Sequence, residues 1–171
     1  AYVDKVQDYI LRDQFSVAGV TTYRNISADL AGIELSGNWQ RGGWAVAGDV
    51  AYTRGQDKTD DMPLAQIAPL MGKISASYGQ DAWRAGARVN FAAAQNRIDP
   101  SRDAGVTPGY ATLDLFGSYD VADHAVFMAG VDNVFDKAYS NHLSRGNAFD
   151  TSVSRVMEPG RSVYVKLEMR F

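Results

Sequence analysis

The 171-residue chain contains no cysteine, only two histidines and only five prolines. Without cysteine there is no disulfide scaffold and no thiolate zinc site, although many exported proteins also lack disulfides, so the compartment stays open. No run approaches the roughly 20 apolar residues that a membrane helix needs. That leaves crossing on strands open, since each strand needs only about 9 to 11 residues with every second one apolar. Net charge is −3 and the pI is near 5.3, so nothing draws the chain toward nucleic acid, and no nucleic-acid-binding motif is present. Gly-rich phosphate loops and paired-carboxylate motifs are missing as well, and no cofactor is implied.

What the chain does have is alternation. In its last eleven residues, RSVYVKLEMRF, Val163, Val165, Leu167, Met169 and Phe171 fall on one face of an extended strand. Ser162, Tyr164, Lys166, Glu168 and Arg170 fall on the other. The same pattern recurs over Tyr2–Asp13, Thr21–Trp39, Trp44–Tyr52, Leu70–Tyr78, Trp83–Phe91, Ala111–Tyr119 and Ala125–Val131, giving an all-β chain of about eight antiparallel strands. Short turns at Gln40–Gly43, GQDA and DVAD alternate with long polar stretches: Arg54–Met62, Gln95–Gly109 and a connection of about 25 residues before the last strand. Strict alternation puts the short turns at one end of the sheet and the long loops at the other.

Large aromatics crowd the short-turn end. Trp39 and Trp44 flank the first turn, Tyr78 and Trp83 the second, and Tyr119 precedes the third, with Phe171 at the same level. Rings with a polar tip favour the boundary between lipid and water, so the row reads as an interfacial girdle, with Tyr52, Phe91 and Tyr110 as its counterpart. A soluble sandwich would put Val and Leu inward and the charges in water. The girdle and the loop asymmetry favour the opposite arrangement: the apolar face meets lipid and the polar face lines a wet interior, as in a transmembrane β-barrel.

On this reading Arg84, Arg88, Asp114, Lys166, Glu168 and Arg170 face the interior. The longest loop carries the other candidates. Tyr139, His142, Arg145, Asp150 and Arg155 are expected to meet a substrate, and His142 with Met157 could serve as soft metal ligands. His142 also lies near Ser140, Ser144 and Asp150, which raises an outer-membrane hydrolase as an alternative; sequence proximity is not triad geometry, and no catalytic residue is assigned. A small closed outer-membrane barrel with a structural or adhesion role is the other alternative. Ala1 opens directly into strand with no signal peptide, so a piece of something longer is expected.

Several motifs, in order, resemble the TonB-dependent outer-membrane receptors. DNVFDKAY, Asp132–Tyr139, is similar to that family's V-x-N-L-F-D-K-x-Y segment, with Val134 in place of Leu. Glu158, Pro159, Gly160 and Arg161 resemble its P-G-R before the last strand, and Phe171 its terminal aromatic. Gly32-Ile33-Glu34, Tyr23 with Asn25, and Asp8 to Ile10 resemble earlier strand motifs. The resemblance implies a bacterial outer-membrane barrel of about 22 strands, of which residues 1–171 are the C-terminal part. It implies as partners outer-membrane lipid, an N-terminal plug domain that this chain lacks, TonB acting through the missing part, and a metal or metal-complex substrate. The NHLSR stretch, Asn141–Arg145, looks most like the copper-receptor branch, with ferric siderophore as the rival cargo.

Overall fold

The computed structural model describes residues 1–13, 22–144 and 155–169. Among these residues nine strands form one antiparallel sheet: β1 Tyr2–Asp13, β2 Thr22–Arg41, β3 Trp44–Asp57, β4 Met62–Pro63, β5 Met71–Gln80, β6 Trp83–Ala92, β7 Tyr110–Ala122, β8 Ala125–Asp132 and β9 Ser162–Met169. Apart from β4, which pairs only with β3, every strand neighbours the next in sequence, from β1 at one edge to β9 at the other. Among the described residues β1 makes no contact with β9. A small closed barrel would need that pair, so its closing contact is missing.

Register confirms the two faces. Leu35 pairs Val50, Val50 pairs Gly72, and Gly72 pairs Phe91, while Ala87 pairs Leu115, Leu115 pairs Val131 and Val131 pairs Val163. These rows form one apolar face that stays exposed; Val163, Val165 and Leu167 are each more than half exposed. Phe171 and Arg170 lie outside the described residues. The short turns are tight for a local reason: Gly42 and Gly43 both take positive φ, 56° and 85°, the two-residue hairpin geometry that glycine adopts without a steric penalty. Beside them the girdle assembles across strands, with Trp44 and Tyr78 rings 5.1 Å apart and Tyr78 and Trp83 rings 5.7 Å apart.

Two features depart from the sequence expectation. The stretch from Arg54 is not all loop: β3 continues to Asp57, Met62 and Pro63 fold back on it, and Asp57 is buried, accepting hydrogen bonds from the Thr59 and Asp60 amides. Composition there turns polar because the strand has left the apolar layer, not because it has ended. Nor is the polar face uniformly polar. At the long-loop end Ile26 and Ala28 sit with Leu11 and Leu64 in a small apolar cluster, joined by Tyr9, Leu30 and Ile67. Pairing of Ala28 with Asp57 and of Ser36 with Asp49 puts both residues on one face of β2, so residues 62–70 fold onto the polar side of the sheet and bury hydrophobics there.

Candidate functional site

Of the residues expected to look inward, those described, Arg84, Arg88, Asp114, Lys166 and Glu168, lie on the polar face. Arg88 pairs Asp114, and Arg84 reaches Lys166 through the cross-strand row Ser118 and Met128, while Glu168 pairs Val126. Lys73 lies 3.4 Å from Asp49, and Lys166 donates to Glu168 at 3.0 Å. The Arg88 guanidinium lies over the Phe116 ring at 5.6 Å and 3.8 Å from the Asp114 carboxylate.

Asp114 differs from the other charged residues just named because it is buried. Its carboxylate accepts the Asn90 amide at 2.7 Å and the Asn133 backbone N–H at 2.9 Å. From there DNVFDK behaves as a clamp. Asn133 takes a left-handed φ of 52°, which an Asn tolerates better than most residues, and its side chain both donates to Lys137 O and accepts Lys137 N–H at 2.9 Å. Asp136 accepts the Arg161 N–H at 2.8 Å, and a Cβ on Gly160 would come within 2.6 Å of the Asp136 carboxylate. The motif thereby ties β7 to the end of β8 and the start of β9.

At the long-loop end the candidate ligands divide. Tyr139 stacks on Tyr110 with centroids 4.2 Å apart, and burial raises its phenol above the ordinary range. His142 is buried: Nδ1 meets the Thr107 hydroxyl at 2.7 Å, while Nε2 has no hydrogen-bond partner and lies 3.9 Å from Asp103 Oδ1. Arg155 donates to the carbonyls of His142, Asn141 and, at 2.9 Å, Gly105. His142 and Arg155 are therefore together, locking two loops. Met157 is more than half exposed, and among the described residues no group of three or more His, Cys, Asp or Glu is placed to hold a metal. The Ser144 hydroxyl donates to Val156 O, and His142 bonds Thr107 through Nδ1 and nothing through Nε2, so among the described residues His142 makes no Ser–His hydrogen bond. Arg145 and Asp150 lie outside the described residues.

Sequence reading missed the partners of this lock. Asp103 accepts the amides of Gln66 and Asp99, and Arg102 donates to the Asp99 carboxylate and to Arg12 O across the mouth of the sheet. Burial pushes Asp99 up, but hydrogen bonds from Ser101 and Arg102 outweigh it and hold the carboxyl below its usual value. The one local signal was Asp99-Pro100-Ser101, an Asx-turn sequence.

Burial lowers the His142 imidazole from its ordinary value, and Arg155 adds to this while Asp103 opposes it. A base with a lowered pKa in the locked form resists protonation there, so the lock is fully formed above about 6.5, the free value, and weakens as pH falls through the lowered one. Hydrogen exchange, corrected for intrinsic rates, is expected to show less protection at Thr107 and Ser144 at pH 5.5 than at pH 7.5. His142→Gln should remove the difference; an unchanged difference in that variant would assign it to another group.

Comparison with known proteins supplies the family. Residues 1–134 match the family described as TonB dependent receptor-like, beta-barrel. The structure of the copper transporter OprC superposes with a TM-score of 0.90 at 33% identity, over 99% of this chain and 27% of that one. The ferric yersiniabactin uptake receptor FyuA of Yersinia pestis superposes at 0.70 with 20% identity, over 88% of this chain and 25% of that one, a likeness of fold. The vitamin B12 transporter BtuB of Vibrio vulnificus is 26% identical over 100% of this chain and 26% of its own length. Heme/hemopexin utilization protein C of Haemophilus influenzae is 29% identical over 78% of this chain and 20% of its own length. The chain thus spans a fifth to about a quarter of these relatives. It belongs to the TonB-dependent receptors, as part of their outer-membrane β-barrel.

Proposed function

We propose that residues 1–171 are the C-terminal part of an outer-membrane active transporter that takes up copper, driven through TonB by a plug domain carried elsewhere in the protein. One observation supports copper over other cargoes: the likeness to the copper transporter is 33% identical with a TM-score of 0.90, against 16–20% and 0.65–0.75 for seven other receptor structures superposed beside it. In this reading Arg84, Arg88, Asp114, Lys166, Glu168 and Arg170 face the plug. The loops carrying Tyr139, His142, Arg145, Asp150, Arg155 and Met157 form the outer mouth through which cargo enters. His142 and Arg155 act there by holding loops, and the exposed Met157 thioether is the group free to meet a soft cation.

Deleting the full-length gene tests the reading. Cell-associated radiocopper at limiting concentration should fall to the passive background and return on complementation, with ferric-siderophore uptake unchanged. Loss of siderophore uptake with copper uptake intact would move the protein to the rival cargo.

A further inference from the structure

Just beyond the outer aromatic level, the wall of the sheet is notched. Pairing of β3 with β5 stops at Ala51 and Met71, yet β3 runs on to Asp57; β4 pairs Gln56 and Asp57, and the stretch between, from Tyr52 to Gly55, has no strand partner on that side. A cleft of about 250 Å³ lies there, lined by Tyr52 and Leu70 from the outward rows, by Thr53, Leu64 and Ile67 from the polar side of the sheet, and by Arg97 from the loop. Tyr52 and Leu70 belong to the lipid-facing rows and are each 40% exposed.

Above Tyr52 on that same outward row stand Arg54 and Gln56. Arg54 is exposed, and no described residue offers it a hydrogen bond or an ion pair. Arg97 donates to the Gln56 side-chain carbonyl at 2.9 Å, so its guanidinium is brought to the row Arg54 occupies. Nearby acids are mostly engaged: Asp57 is buried under its own turn, Asp60 is bound by Arg24, and Asp61 accepts from Gln56 at 3.3 Å. Strand rise puts Arg54 and Gln56 roughly 7 and 13 Å beyond Tyr52 along the chain, where headgroups rather than acyl chains lie.

We propose that Arg54 and Arg97 bind the phosphate of an outer-leaflet lipid whose acyl chain runs down over Leu70 and Tyr52. A cation pair above the outward-facing Tyr52 and Leu70 at the edge of the lipid layer matches a phosphorylated amphiphile at both ends, and two cations beside anionic headgroups add affinity residue by residue.

The test uses the full-length receptor in detergent and native mass spectrometry, titrated with diphosphorylated lipid A. Each Arg→Gln change is expected to weaken binding roughly fivefold, and R54Q/R97Q together about thirtyfold. R54K/R97K should retain most of the affinity. Dephosphorylated lipid A should bind the unaltered receptor at least as weakly as the diphosphorylated lipid binds R54Q/R97Q. Equal affinity of R54Q/R97Q and the unaltered receptor, or equal binding of the two lipids, would overturn the proposal. So would competition by equimolar inorganic phosphate, which would make this a solute anion site.

Discussion

Replacing Asp114 with alanine is expected to destabilise the barrel by about 3 kcal/mol. Its buried carboxylate accepts two hydrogen bonds, from Asn90 and from the Asn133 N–H, and charge-assisted bonds of this kind contribute about 1.5–3 kcal/mol each. Alanine leaves both donors facing a void. The Arg88 contact adds little, since at 3.8 Å with its side chain 43% exposed it is screened. A carboxamide in the same place would keep one acceptor for the Asn133 N–H, and a flipped Asn90 amide could meet its NH2, so Asp114→Asn should cost nearer about 1 kcal/mol. Urea unfolding of the full receptor would read both, and an Asp114→Ala/Asn90→Ala cycle isolates that bond. The effect should spread along the clamp: β9 loses its anchor because Asn133 also holds Lys137, and Asp136 holds Arg161. If Asp114→Ala unfolds at the same urea concentration as the unaltered receptor, the carboxylate is a lumen charge and not a clamp.

How much of this was legible beforehand follows from the range of each interaction. Strand faces, turns and the girdle are local: a period-two pattern such as Trp83, Ala85, Ala87, Val89 and Phe91 states its environment within ten residues, and the register bears it out. DNVFDK was recognisable as a string, but its reason is not local, because Asn133 reads an acceptor 19 positions earlier. The loop lock is less legible still. His142 meets Thr107 from 35 positions away and Arg155 meets Gly105 from 50, and neither partner carries a pattern that marks it. Hence two residues chosen as cargo ligands, His142 and Arg155, also hold loops, while Asp103 and Asp99, which knit the mouth, were passed over as loop polarity. Alternation also misleads outside the bilayer. Ile26, Ala28 and Leu30 lie on the polar face, apolar because residues 62–70 cover them.

A charge placed on the apolar face should discriminate lipid from core by depth. Leu115 lies mid-strand in β7, four residues from Tyr119 at the girdle and four from Ala111, which pairs Phe91 of the opposite belt; it is 44% exposed and flanked by Ala87 and Val131. Leu115→Arg is expected to cost about 2–4 kcal/mol, the penalty for an arginine at the bilayer midplane. Val121→Arg, two residues past Tyr119 and 59% exposed, should cost only about 0–1 kcal/mol because its guanidinium can snorkel into the headgroups. Ser36→Arg supplies the opposite face. It sits exposed on the polar side beside Asp49, which it would share with Lys73, so the change should be close to neutral. The three are compared as urea midpoints of the full receptor in the same bilayer. A protein core behind Leu115 would penalise Leu115→Arg without regard to membrane thickness. Lipid makes the penalty grow as the bilayer is thickened, because the route from Leu115 to the headgroups lengthens with it.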